Sequence, residues 1–294
     1  MSEKVPEHAS KPGKRPSGVV LVLCALVVGV AAVVVWPGEK EPEYQRKKLS
    51  EWINWYQSKR GVKFRGRGLD RLGKEAEEAV RHIGTDALPF FLKWIQGTTP
   101  AWKERLATRV GRPFSVKQQV VLGQWLMRED HKAEKAIKGF EIMGEQASVA
   151  IPQLLRIMNE SHQKEVSWNA IHALIGIGDG GAIFVLSAIT NQTASLTVRS
   201  DAAEAVLYMD GLYRERVKVL YSCIDNPTTP AELREKAVLA LAFFRMETPR
   251  FPPIDGLRQM LDDSSPSVRN AATNALRKIA PKALGTNGMR EGHK

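Results

Sequence analysis

The chain has 294 residues, 43% of them apolar and 26% charged, with a formal net charge of +11 and two cysteines. That apolar share suffices for a folded body and excludes a wholly disordered polyelectrolyte, while two cysteines exclude a disulfide-framed or thiolate-metal fold. A basic balance points to anionic partners only where it is gathered on one surface, so its distribution matters more than its size.

Residues 1–17 hold Lys4, Lys11, Lys14 and Arg15 among prolines and lack any apolar run, which is the composition of a disordered basic tail. Residues 18–36 then run for nineteen positions without a charge and end on Trp36. As a helix they reach roughly 28 Å, the hydrocarbon thickness of a bilayer, and a tryptophan suits its interface. A cleaved signal peptide would end on small residues, but the run ends Val33-Val-Val-Trp-Pro37. A lipoprotein signal would need a small residue before Cys24, where Leu23 stands. The segment therefore reads as a transmembrane helix embedded in the lipid bilayer, and the chain as a single-pass membrane protein. Four basic residues precede the span and four follow it closely, so charge does not set the orientation. The commoner arrangement keeps a short tail inside and exports the large domain, here to the periplasmic side.

Residues 37–71 are expected to form a charged linker with a short capping helix and a basic loop. Leu49, Trp52, Ile53 and Tyr56 fall on one helical face, a candidate cap for whatever follows. The basic stretch consists of Lys59, Arg60, Lys63, Arg65, Arg67, Arg71 and Lys74 with the single acid Asp70. It carries +6 of the net charge and leaves +3 for residues 75–294. Three readings stand for it: a solvated loop, a contact for anionic lipid headgroups close to the bilayer, or a nucleic-acid contact. The near-neutral remainder makes nucleic acid an unfavoured partner for the array, since a cradle for phosphates spreads Lys and Arg along its whole face.

From residue 72 to 283 the chain repeats. Val268, Ala271, Ala272, Ala275, Leu276 and Ile279 form one stripe on a 3.6-residue helix, with Ser265-Pro266 in front to start it. Small residues take the place of Ala275 at Ala79, Gly139, Ala173, Ala205 and Ala240, in steps of 60, 34, 32, 35 and 35. The step of 60 is about twice the others and predicts one more unit around Leu106 and Gly111. A period in the thirties is that of stacked helix pairs, in which a small residue lets neighbouring helices approach. Gly84, Gly111, Gly144, Gly178 and Gly211 follow first helices, where glycine closes a helix in the left-handed region. Second helices open with Pro89 and Pro152 in their first turns. No strand pattern appears, so the class is all-α.

The segment Asp-Ser-Ser-Pro-Ser-Val-Arg-Asn-Ala-Ala-Thr-Asn-Ala-Leu over 263–276 resembles the first helix of a HEAT-type repeat. Val198-Arg199, Leu233-Arg234 and Val268-Arg269 repeat its apolar-then-arginine pair, and the run from Ala150 to Leu155 resembles its second helix. The resemblance implies a HEAT-like α-solenoid of about six to seven helix pairs over 72–283, preceded by one transmembrane helix. Residues 284–294 are then a disordered C-terminal tail. It further implies a bacterial type of protein with an N-terminal membrane anchor, and a scaffold that binds an as yet unknown protein partner. The unit near Leu106, the one beginning near His131 and the one holding Pro249, Pro252 and Pro253 depart from the pattern.

Catalytic chemistry finds no footing in the sequence. The six histidines form no His-Glu-x-x-His and no His-Glu pair, and no glycine cluster precedes Lys-Ser/Thr. Gly178-Asp-Gly-Gly181 reads as a tight turn, His172 as a packed or rim residue, and Cys223 as a small buried hydrophobe. No cofactor, metal or catalytic residue is expected and the chain is read as not an enzyme. The alternatives are binding of an anionic membrane surface or nucleic acid through 59–74, and an unrecognised enzyme such as a lyase-like HEAT protein.

Overall fold

Apolar residues spaced three and four apart commit each segment to one buried stripe, and stripes this narrow are satisfied only by neighbouring helices. The computed structural model describes residues 40–60, 67–97, 128–247 and 254–284. The chain divides into two compact units, Met1–Lys40 and Glu41–Lys294, and every helix described below belongs to the second. The expected tail at 1–17, the transmembrane helix at 18–36, the unit near Leu106 and Pro249, Pro252 and Pro253 lie outside the described residues. Among the described residues no helix is long and apolar enough to cross a membrane.

A hairpin opens the described chain, with β1 (Glu43–Tyr44) antiparallel to β2 (Lys47–Lys48) across a two-residue turn. No alternating run announces it, and it corrects the reading of 37–48 as plain linker. Its contacts with helix α1 (Leu49–Arg60) explain why it forms. Trp52 Nε1 donates to Tyr44 O at 3.0 Å, and the Ser50 amide donates to the Glu41 carboxylate at 2.9 Å. The Lys47 ammonium lies 4.4 Å and 3.8 Å from the Trp52 and Trp55 ring centroids. Leu49, Trp52 and Ile53 of α1 are buried.

Helix α2 (Arg67–Ile83) begins inside the segment expected to be a basic loop. Its buried stripe runs through Ala76, Ala79 and Val80. After it come α3 (Leu88–Ile95), α4 (Arg128–Met143), α5 (Ile151–Glu160), α6 (Lys164–Gly176) and α7 (Asp179–Thr190). The series closes with α8 (Leu196–Ala205), α9 (Tyr213–Asp225), α10 (Ala231–Glu247), α11 (Ile254–Gln259) and α12 (Pro266–Ile279). The expected C-terminal tail starts one residue early, because Leu284 ends the short turn Pro281–Leu284. Even-numbered helices from α4 to α12 pack side by side, and each odd-numbered one from α3 to α11 packs on the even-numbered helix that follows it. Gly84 and Gly144 close α2 and α4 with φ of 60° and 54°, a conformation that costs a side chain about 1–2 kcal/mol. Ser265 stands at the N-cap of α12 with Pro266 behind it, but its hydroxyl meets Ser267 Oγ at 3.1 Å and caps no amide.

The long step in the repeat separates Ala79 from Gly139. Helices α2 and α3 pack directly on α4, in the way each later pair packs on its successor. Arg81 Nε donates to Ile142 O at 2.9 Å across this junction. A Cβ on Gly139 would come within 2.1 Å of the buried Phe91 ring. Residues 98–127, where the further unit is expected, lie outside the described residues.

Candidate interaction surface

The small residues of the repeat all lie at helix contacts. Ala79, Ala173, Ala205, Ala240 and Ala275 are buried, as is Gly139. Arginines that follow the apolar position of the first helices share a task, which is to donate to a carbonyl just upstream. Arg199 Nε reaches Ile189 O at 3.0 Å, and Arg269 Nη1 reaches Asp263 O at 2.7 Å and Ser264 O at 3.0 Å. Arg234 donates to Thr229 O and in addition grips the Asp263 carboxylate. The upstream loops share a device that repeat spacing alone does not reveal. Asn191 Oδ1 accepts from the Thr193 amide, Asn226 Oδ1 from the Thr228 amide and Asp263 Oδ1 from the Ser265 amide, at 3.0, 3.0 and 2.8 Å. The signal was an Asn or Asp two residues before Thr or Ser, recurring with the repeat.

Of the basic stretch, Lys59 and Arg60 end α1, Arg67, Arg71 and Lys74 lie in α2, and Lys63 and Arg65 fall outside the described residues. Its described residues are thus divided between two helices. Lys74 is exposed.

An aromatic trio gathers between α6 and the end of α8. Trp168 and His172 on α6 stand edge to face at 4.5 Å, and Tyr208, after α8, meets them at 6.4 and 5.1 Å. Tyr208 is 59% exposed. His172 Nε2 is buried without a hydrogen-bond partner, and burial, then the Lys138 charge, push its pKa down. The imidazole is neutral and acts as a third ring, with no geometry for a ligand.

A groove runs between α3 and α5. One cavity of about 520 Å³ is lined by Leu92, Lys93 and Gln96 of α3, Lys132 of α4 and Gln153 of α5. A second, of about 380 Å³, meets it at Gln96 and continues along Arg156, Ile157 and Glu160 to His162. The carbonyl ends of both helices are already occupied by protein donors. Gln96 Nε2 donates to Leu92 O and Asn169 Nδ2 to Ile95 O; Asn159 Nδ2 donates to Leu155 O and Ser167 Oγ to Met158 O.

Among the described residues no group of three or more His, Cys, Asp or Glu side chains is placed to hold a metal ion. Cys223 is buried, and burial pushes its thiol pKa up to about 11, so it is a thiol with no thiolate character at neutral pH.

Residues 254–283, which take in α11 and α12, match the family model of the HEAT repeat. No curated protein matches the chain. With the stacked helices above, this match supports a HEAT-like helical repeat fold.

Proposed function

We propose that this HEAT-like repeat array is a membrane-anchored scaffold that binds a partner protein and carries out no catalysis of its own. Residues 18–36 are the anchor in this reading, and the array stands on the periplasmic side. The observation that carries the binding role is the aromatic trio. Tyr and Trp are the side chains most enriched at the energetic centres of protein interfaces, and here they are held pre-organised by edge-to-face contacts. A photo-crosslinker placed at Tyr208 in native membranes tests this. A discrete adduct that disappears in Trp168→Ala is the expected result; adducts unchanged by that substitution would remove the trio from the interface.

A second reading rests on the seven basic residues between Lys59 and Lys74, beside one acid. A bilayer held close by the anchor would present anionic headgroups to them, each Lys or Arg near the surface contributing about 1 kcal/mol. Changing Arg65, Arg67 and Arg71 to glutamine in a chain lacking residues 1–36 should abolish its sedimentation with anionic vesicles at low salt. Equal sedimentation with neutral vesicles argues against this reading.

A further inference from the structure

His172 is the member of the aromatic trio whose charge can change near neutral pH. Its ring lies 4.5 Å from Trp168 and 5.1 Å from Tyr208, and its Nε2 is buried without a hydrogen-bond partner. A neutral imidazole tolerates this, since it can keep its proton on Nδ1 and leave Nε2 a bare lone pair. An imidazolium carries a proton on both nitrogens. A charged donor shut away from any acceptor costs far more than a neutral one, and attraction to the neighbouring ring faces offsets only part of that cost. The surrounding charges do not help. Among the described residues, Lys138 of α4 is the group whose charge reaches the imidazole, and it repels a second cation. The Glu141 carboxylate lies 2.6 Å from the Lys138 ammonium. On α8, Asp201 and Glu204 are engaged by Lys164 at 3.4 Å and Lys236 at 2.6 Å. The remaining neighbours α3, α5 and α7 carry Lys93, Arg156, Glu160 and Asp179, none of which acts on the ring.

We infer that His172 makes the trio an acid-released contact, in which protonating the imidazole drives the Tyr208 ring outward and frees the bound partner. The inference deepens the scaffold reading and rests on it for the partner. Tyr208 is the ring that yields. It is exposed, while Trp168 is half-buried one turn before His172 on the same helix. The backbone around Tyr208 stays in place, because Val206 and Met209 are buried and their carbonyls accept from Arg216. Rotation of the tyrosine side chain alone then admits water to Nε2. Burial, then the Lys138 charge, hold the His172 pKa below its ordinary value while the trio is closed, and opening to water relieves the burial. The closed form is therefore fully favoured above the ordinary histidine value of about 6.5, and is lost as pH falls below it through the lowered one.

Full-length protein in non-ionic detergent, with a fluorinated tyrosine at position 208, is followed by fluorine NMR from about pH 7.5 to about pH 5.5. The resonance should move in a single transition with its midpoint below the ordinary histidine value. Lys138→Gln removes the repelling charge and should raise that midpoint. His172→Phe keeps a third ring that cannot titrate, and should abolish the transition. A resonance that does not move, or a transition that persists in His172→Phe, overturns the inference. Release is read with a photo-crosslinker at Tyr208 in native membranes at the same two pH values. Adduct yield should fall severalfold in acid for the parent and hold in His172→Phe; equal loss in both overturns the release. A fluorine transition without an adduct at either pH is a different failure, in which the scaffold reading of the trio falls and takes release with it.

Discussion

Arg234 and Asp263 grip each other across the junction of two repeats, Nε to Oδ2 at 2.8 Å and Nη2 to Oδ1 at 2.7 Å, with side chains only 8% and 6% exposed. The same arginine donates to Thr229 O, and the same carboxylate accepts from the Ser265 amide, so both ends are fixed by their own loops. The hydrogen bond to Arg234 holds the Asp263 carboxyl below its ordinary pKa, and Asp263 in turn raises that of Arg234. A planar fork meets a planar carboxylate here, which a lysine cannot reproduce.

Arg234→Ala should therefore cost about 3–5 kcal/mol, because it leaves a buried carboxylate without its partner. Arg234→Lys should recover part of this loss and not all. Chemical denaturation of the three proteins reads it directly. The sign with pH follows from a lowered folded-state pKa. The contribution is fully present above the unfolded value of about 3.9 and is lost as pH falls through the lower folded one. A wild-type protein whose acid stability slope matches that of Arg234→Ala would show that the pair is not the source.

Asp201 on α8 should behave oppositely. It is 3% exposed, its Oδ2 has no hydrogen-bond partner, and its Oδ1 is 3.4 Å from Lys164 Nζ. Burial raises its pKa, opposed in part by the Lys164 charge. The folded state then holds this proton more tightly than the unfolded one. Stability is lost as pH rises from the unfolded value of about 3.9 through the raised folded value. Asp201→Asn is expected to melt higher than the parent at neutral pH, with the gap closing toward acid. A lower melting temperature at pH 7 would mean that the Lys164 contact outweighs burial.

These two aspartates show where sequence reading stops. The alternation of small and apolar residues at 79, 139, 173, 205, 240 and 275 was legible because helix packing at a fixed position leaves a periodic trace. Asp201 and the groove leave none, since each depends on which repeat lies beside which. The hairpin was hidden because its strands are two residues long and its stability comes from Trp52 and Trp55 of the helix that follows it.

The direct packing of α3 on α4 leaves Gly139 no room for a side chain beside Phe91. A methyl group there meets a fully buried phenyl ring that has no space to retreat. Gly139→Ala should cost about 1–3 kcal/mol by overpacking, despite alanine's better helix propensity. Phe91→Leu in the same chain should return much of it. Ala173→Arg, at a position with no exposed surface, should cost more, since it adds an unpaired charge to the clash. Thermal melts that place Gly139→Ala at or above the parent would mean α3 and α4 can separate at little cost.

The turn of the hairpin is a last point of tension. Gln45 and Arg46 sit at φ of 49° and 62°, the two left-handed positions of a turn that Asn-Gly fills at least cost. Each non-glycine residue held there costs about 1–2 kcal/mol, offset by the Trp52 indole bond and the Lys47 stack on two tryptophans. Gln45→Asn with Arg46→Gly should therefore stabilise the cap by about 1 kcal/mol, and its benefit should be local. Hydrogen exchange at the Ser50 amide, which the Glu41 carboxylate holds, is the sensitive readout: it should slow in the double variant while exchange in α10 and α12 stays the same. Lys47→Ala should do the reverse, loosening the same amide by removing the cation that holds the strand to the rings. Faster exchange at Ser50 in the Asn-Gly variant would show that Arg46 contributes more through its side chain than its backbone costs.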